Sequence, residues 1–155
     1  MISFRKADIN DELLLFSWKN DPVALQQSFN SDPVSLSDHK EWFRNKLTDP
    51  NHVFYIFEQQ SEAVGLVRFD RSGKETITGI VVDPAYRGKG TGAEMLILAT
   101  DAYLAQFPGT VIHAFIKKDN FASIRSFERA GFRLQPEASP EQHQGILMIK
   151  AHVPG

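Results

Sequence analysis

Residues 77–105 read ITGIVVDPAYRGKGTGAEMLILATDAYLA, and the rest of the chain is read outward from them. A short β-branched apolar run, Ile77 to Val82, suits a buried strand. It stops at Asp83-Pro84 and crosses a basic glycine-rich loop, Arg87-Gly88-Lys89-Gly90-Thr91-Gly92. About fifteen helix-forming residues follow, with apolar side chains at helical spacing. A strand, a glycine loop and a helix in succession make an anion site. The loop's N–H groups face outward, glycine permits close approach, and the helix N-terminus adds positive potential. Arg87 and Lys89 add full charges, so the expected guest is a diphosphate.

Three kinds of loop fit that description in part. A Walker A loop needs a glycine five positions before its Gly-Lys pair; Asp83 stands there, and that reading fails. The dinucleotide fingerprint GxGxxG/A is met formally by Gly88, Gly90 and Ala93. It belongs in an opening βαβ unit with an acid at the end of the next strand, whereas this loop lies past mid-chain and carries two basic residues. The third pattern, Arg/Gln-x-x-Gly-x-Gly/Ala, is met by Arg87, Gly90 and Gly92. Downstream, Asn120-Phe-Ala-Ser123-Ile-Arg-Ser-Phe127-Glu-Arg-Ala-Gly131-Phe132 supplies a second pattern, Asn-x-x-(Ala/Ser)…(Tyr/Phe)…Gly-Phe.

Together, in this order and with a strand between them, the two patterns resemble motifs A and B of the GNAT superfamily of N-acetyltransferases, and the resemblance covers nearly the whole chain. It implies an α/β (α+β) fold: one domain over residues 1–155, with a mixed central sheet of about seven strands flanked by helices. A splayed strand pair, one strand ending at Val82 and the other starting at Val111, would hold acetyl-CoA. By the same resemblance, backbone N–H groups near Val81 and Val82 bind pantetheine and polarise the thioester carbonyl. Residues Arg87, Gly88, Lys89, Gly90, Thr91 and Gly92 hold the pyrophosphate, and Asn120, Ser123 and Phe127 line the cofactor arm. Many members carry a tyrosine where Phe127 stands, proposed to protonate the leaving thiolate. Phenylalanine cannot, so that role falls to water or another residue, or is vacant.

Direct attack of an amine on the thioester needs no enzyme nucleophile, which agrees with a chain that has no cysteine. The ammonium must lose a proton first, to a carboxylate or imidazole directly or through water. His113, within an apolar strand, and Glu75, just before the motif-A strand, are the leading candidates; Asp70 and His39 follow. For the acceptor, Trp18-Lys-Asn20-Asp21-Pro, Phe29-Asn-Ser31 and Ser35-x-x-x-His39-x-x-Trp42-Phe43 resemble the pseudaminic-acid-pathway acetyltransferases and other 4-amino-sugar-nucleotide N-acetyltransferases. That resemblance implies a UDP-linked 4-amino-4,6-dideoxy sugar as acceptor, with Trp18, Asn20, Phe29, His39 and Trp42 as binding residues. Similar segments occur in RimJ/RimL-type enzymes, which implies a protein N-terminus or another small amine as the alternative. A non-catalytic acyl-CoA-binding module is the third possibility.

Composition agrees with this picture. A chain of 155 residues is long enough for a real core. Its 42% hydrophobic and 23% charged content is ordinary for a globular protein. A net charge of −2 disfavours nucleic acid as the main partner. The absence of cysteine excludes disulfides and Cys-ligated zinc, and no metal is expected. With no apolar leader and no run near eighteen apolar residues, a cytoplasmic location without a membrane span is expected; a homodimer stays open.

Along the chain, Ile2–Lys6 reads as a strand. A helix capped by Asp8 or Asn10 runs to Trp18 and is broken at Asn20-Asp21-Pro22. A second helical patch covers 24–29. Ser35-x-x-Asp38 opens a helix through Leu47 as a capping-box variant. Strands are expected over 53–57, 63–69, 77–82, 111–116, from 132, and over 145–151. A helix over 120–130 ends at Gly131. The stretch 136–144 is a loop, and 152–155 a loose tail.

Overall fold

The computed structural model describes residues 2–29, 32–73, 75–136 and 145–151. Seven strands form one mixed sheet. They are β1 (Ile2–Lys6), β2 (His52–Gln59), β3 (Glu62–Ser72), β4 (Glu75–Val82), β5 (Val111–Lys117), β6 (Arg133–Leu134) and β7 (Gly145–Ala151), in the order β1-β2-β3-β4-β5-β7-β6. Every neighbouring pair is antiparallel except β4–β5. The helices are α1 (Glu12–Lys19), α2 (Pro22–Gln27), α3 (Leu36–Leu47), α4 (Thr91–Gln106) and α5 (Phe121–Arg129).

Side chains alternate across each strand, so the sheet has two faces. On one, Tyr55, Phe57, Val67 and Phe69 pack under α4 and α5 with Met95, Leu96 and Phe127. On the other, Phe54, Ile56 and Leu66 pack under α1 and α3 with Leu15, Trp18 and Phe43. The α1–α3 core belongs to the β2–β3 side, which leaves the β4–β5 part of that face more open: Ile77 and Phe115 are each 42% exposed. No helix of the described residues is long and apolar enough to cross a membrane.

Several boundaries move from the sequence expectation for local reasons. The β2–β3 turn is Gln60-Ser61 alone, both with positive φ (52° and 67°), as a two-residue hairpin turn requires. Ladder pairing therefore carries β2 to Gln59 and starts β3 at Glu62. Pairing with β3 likewise starts β4 at Glu75 rather than Ile77. The reciprocal capping box lies not at Ser35 but at Asp8 and Asp11, around a 3-10 turn (Ile9–Asp11) that precedes α1. Ser35 still caps α3, accepting from the Asp38 amide at 3.2 Å. Asn120 caps α5, and Gly131, at φ 96°, ends it. The loop expected over 136–144 and the tail lie, but for Pro136, outside the described residues.

Candidate active site

β4 and β5 pair over three residues only: Glu75 with Val111, Thr76 with Ile112, Ile77 with His113. Beyond that point each strand continues, β4 to Val82 and β5 to Lys117, without pairing to the other. The two strands thus part above Ile77 and His113, and the facing edge of β4 is left without a ladder partner among the described residues. Unpaired strand edges bind extended chains bearing amide groups.

At the top of this gap the chain leaves β4 through a 3-10 turn (Pro84–Tyr86) and enters the glycine loop. Gly88 and Gly90 have φ of 76° and 78°, a region glycine enters without penalty. A Cβ at Gly88 would meet nothing within 4 Å, so the backbone is open to an approaching ligand there. Gly90 is the N-cap of α4 and offers no side chain, leaving the first amides of a sixteen-residue helix uncapped. Gly92 is small for a different reason: its Cβ would lie 3.3 Å from Ser126 Oγ and 3.5 Å from Ile80 and Val82 side chains, where α4 crosses β4 and α5.

Arg87 is tethered twice. Its Nε donates to the Val82 carbonyl at 3.2 Å, and Nη2 donates to Asp21 Oδ2 at 2.7 Å. Asp21 also caps α2, accepting from the Ala24 amide. Burial pushes the Asp21 carboxyl up, but the Arg87 and amide hydrogen bonds outweigh it and hold the group below its usual range. Lys89 is exposed, its ammonium 5.7 Å from the Tyr86 ring, and Thr91 is buried in the first turn of α4. Asn120 accepts from the Ser123 amide at 3.2 Å, so its side chain serves as a cap. Phe127 is 2% exposed and meets Phe132 edge-on, a core position. Arg129 was not singled out in the sequence, yet its Nη1 lies 3.8 Å from where a Gly90 Cβ would be. Its four-residue spacing from Arg125 on one helix was the available signal.

On the α1–α3 face, cross-strand partners form a row: His52, Asp70, Ile77, His113 and Ile149. His113 is thus half-buried beside the last β4–β5 pair, at the foot of the gap. Glu75 lies two residues back on β4, exposed at the strand's start. Asp70 stands one strand beyond Ile77 and pairs with Lys46 at 3.4 Å.

The N-terminal candidates divide. Trp18 is 3% exposed, and its indole donates to Asp83 Oδ2 at 2.8 Å, tying α1 to the turn after β4. Asn20 exchanges two 2.9 Å hydrogen bonds with the Val34 backbone. His39 is fully buried, stacked on Phe43, with Nε2 2.9 Å from the Glu12 carbonyl. Burial lowers its pKa against the opposing pull of that carbonyl. Phe29 packs on β7 at Gly145, where a Cβ would fall 2.5 Å from its ring. Trp42 is half-buried, with the Lys19 ammonium 3.6 Å from the centre of its ring. Asn30 and Ser31 lie outside the described residues.

Residues 2–133 match the family model described as the acetyltransferase (GNAT) domain. The chain belongs to the GNAT acetyltransferase family. It is accordingly an N-acetyltransferase that takes its acetyl group from acetyl-CoA. Among its relatives is the SPbeta prophage-derived uncharacterized N-acetyltransferase YokL of Bacillus subtilis (strain 168), 24% identical over 125 residues, or 79% of this chain and 71% of that one. The GNAT fold is shared with the aminoglycoside acetyltransferase AAC(6')-Ib in complex with coenzyme A (TM-score 0.81, 18% identity, 97% of this chain and 95% of that one). It is shared also with a Vibrio cholerae spermidine N-acetyltransferase in complex with CoA and spermine (TM-score 0.82, 16% identity, 96% and 92%).

The GNAT site has room for the donor on its own geometry: a strand edge without a partner, an open left-handed glycine at residue 88, and uncapped amides opening α4. Acetyl-CoA supplies an acetyl group activated as a thioester. Among the described residues, the groove between the strands has the His113 imidazole at its foot.

Proposed function

We propose that this acetyltransferase acetylates the primary amine of a nucleotide-linked amino sugar, of the UDP-4-amino-4,6-dideoxy class. The observation that carries the acceptor reading lies on the same face of the sheet as the gap, over β2: Trp42 is half-buried with the Lys19 ammonium 3.6 Å from its ring. An aromatic face with a cation over it suits a sugar or uracil ring next to negative charge. It is a poor host for a polycationic amine. On this reading Arg87, Gly88, Lys89, Gly90, Thr91 and Gly92 hold the donor's pyrophosphate, with Arg129 beside them. The β4 backbone near Val81 and Val82 donates to pantetheine and to the thioester oxygen, where charge develops as the amine adds. Asn120 and Ser123 border the same arm.

His113 is the preferred proton acceptor, directly or through water, with Glu75 second because it stands further from the gap. The amine nitrogen then bonds to the acetyl carbon as the carbon–sulfur bond breaks. Phe127 has no hydroxyl, so the leaving thiolate takes its proton from water. We propose that the chain works as one domain over 1–155, in the cytoplasm. A second acceptor, a protein N-terminus of the RimJ/RimL kind, draws support from the exposed Ile77 and Phe115 beside the gap, which would receive an apolar side chain. Thiol release from acetyl-CoA against UDP-amino sugars and against peptides with free N-termini decides between them. Turnover confined to peptides would overturn the sugar reading.

A further inference from the structure

Arg68 sits in the middle of an apolar strand, Gly65-Leu-Val-Arg68-Phe69, and across from Gly79 in the ladder. The guanidinium lies over that glycine: a Cβ there would stand 2.9 Å from Nε and 3.2 Å from both Cζ and Nη2. Position 79 is two residues past Ile77, immediately beyond the point where β4 leaves β5. Among the described residues the Arg68 guanidinium has no hydrogen-bond or ion-pair partner, and the Lys19 ammonium has none beyond the Trp42 ring. Burial pushes the pKa of Arg68 down, opposed by the charge of Asp70. Burial, and then the charge of Arg68, push Lys19 down. Two cations therefore lie on the α1–α3 face, one over Trp42 and one over Gly79, and Lys19 feels the charge of Arg68.

The nearby charges do not balance them. Asp70 is engaged by Lys46, and Glu12 by Arg44. An unpaired, partly desolvated cation is costly, and a second one beside it more so. On the same face Arg44 pairs with Glu12 and Lys46 with Asp70, while Lys117 donates to the Gln26 carbonyl. An incoming anion would complete them, and a guanidinium offers it two parallel donors.

We infer that Arg68, with Lys19, anchors an anionic group of the acceptor on the floor of the cleft at Gly79. Resting on the acceptor reading above, that group is the diphosphate of the nucleotide sugar. The amine then reaches the foot of the gap while Trp42 covers a ring.

The test titrates UDP into protein already saturated with CoA, so that the donor's phosphate site is filled, in wild type, Arg68→Met, Arg68→Lys and Lys19→Met. UDP is expected to bind wild type and to weaken at least about tenfold in Arg68→Met, as loss of a charged hydrogen bond predicts. Arg68→Lys should recover part of it, Lys19→Met should lose severalfold, and CoA affinity should hold in all. Equal UDP affinity in wild type and Lys19→Met, or in wild type and a folded Arg68→Met, overturns the inference. If the enzyme acetylates UDP-amino sugars and Arg68→Met leaves their KM unchanged, the anchor falls and the acceptor reading stands. If it acetylates a different anionic amine whose KM rises tenfold in Arg68→Met, the acceptor reading falls and the anchor stands. If it acetylates only cationic amines and binds neither UDP nor pyrophosphate, both fall.

Discussion

Replacing Gly90 by alanine measures how much of the donor site is backbone geometry. Gly90 precedes α4 with φ 78° and ψ 3°. An L-residue held there costs roughly 1–2 kcal/mol, from its Cβ against its own backbone. No contact adds to this, since the nearest atom to that Cβ would be Arg129 Nη1 at 3.8 Å. The cost must surface in one of two places. If the free protein keeps the left-handed turn, the melting temperature falls by about 2–4 °C per kcal/mol for a chain of this size, and CoA affinity holds. If the free loop relaxes and only the bound state demands the turn, stability holds and the CoA dissociation constant rises by about 5- to 30-fold. Calorimetric melting and CoA titration of one preparation should give two changes that sum to that range.

Two companions sharpen the result. Gly90→Asn should return much of the loss, because asparagine tolerates the left-handed region. Gly92→Ala should move neither quantity far. There the Cβ meets Ser126 Oγ at 3.3 Å and two side-chain carbons at 3.5 Å, a mild crowding. Alanine's advantage over glycine in a helix, about 1 kcal/mol, opposes it. Gly90→Ala unchanged on both axes would refute the argument that the left-handed turn shapes the phosphate loop.

Arg87→Ala should raise the KM for acetyl-CoA more than it lowers kcat, since a remote phosphate contact binds ground and transition states alike. It should also loosen α2 by releasing Asp21; an unchanged KM would remove Arg87 from the donor site. Gly65→Ala should destabilise by about 1–3 kcal/mol, because its Cβ would lie 2.5 Å from both Met95 Cε and the Val81 carbonyl oxygen, and the backbone cannot yield. A melting temperature equal to wild type would refute it. His52→Phe should stabilise by roughly 1 kcal/mol at neutral pH, as both ring nitrogens are buried without a hydrogen bond. Burial pushes the pKa of His52 down to about 4, against the pull of Asp70. The unfolded chain therefore takes up a proton that the folded one refuses, and wild-type stability drops as pH falls from 6.5 toward 4. The variant should lose that slope, and an identical slope would discard His52 as its source.

The readable parts of this protein were those whose physics is local. Gly131 announces a helix stop and stands in that role, at φ 96° just past α5. Apolar spacing by itself supports a mixed α/β domain, and the family resemblance is what implies the order of strands and helices and the sheet. Register was not readable. That β4 and β5 pair for only three residues depends on how the whole sheet twists, and nothing in Ile77–Val82 or Val111–Lys117 signals it. Nor could helical spacing separate His39, fully buried against Glu12, from Trp42 three residues on, which is half-buried with Lys19 over its ring. Phe29 meets Gly145 across more than a hundred residues of chain. One missed signal was nonetheless local. Arg68 stands between Val67 and Phe69, both fully buried, in a strand whose other interior positions are apolar or glycine. A folded chain accepts a cation at such a place against its own stability, and the compensation has to lie outside the strand. When the neighbouring carboxylates are already engaged, as Asp70 is with Lys46, a bound anion is the compensation inferred above.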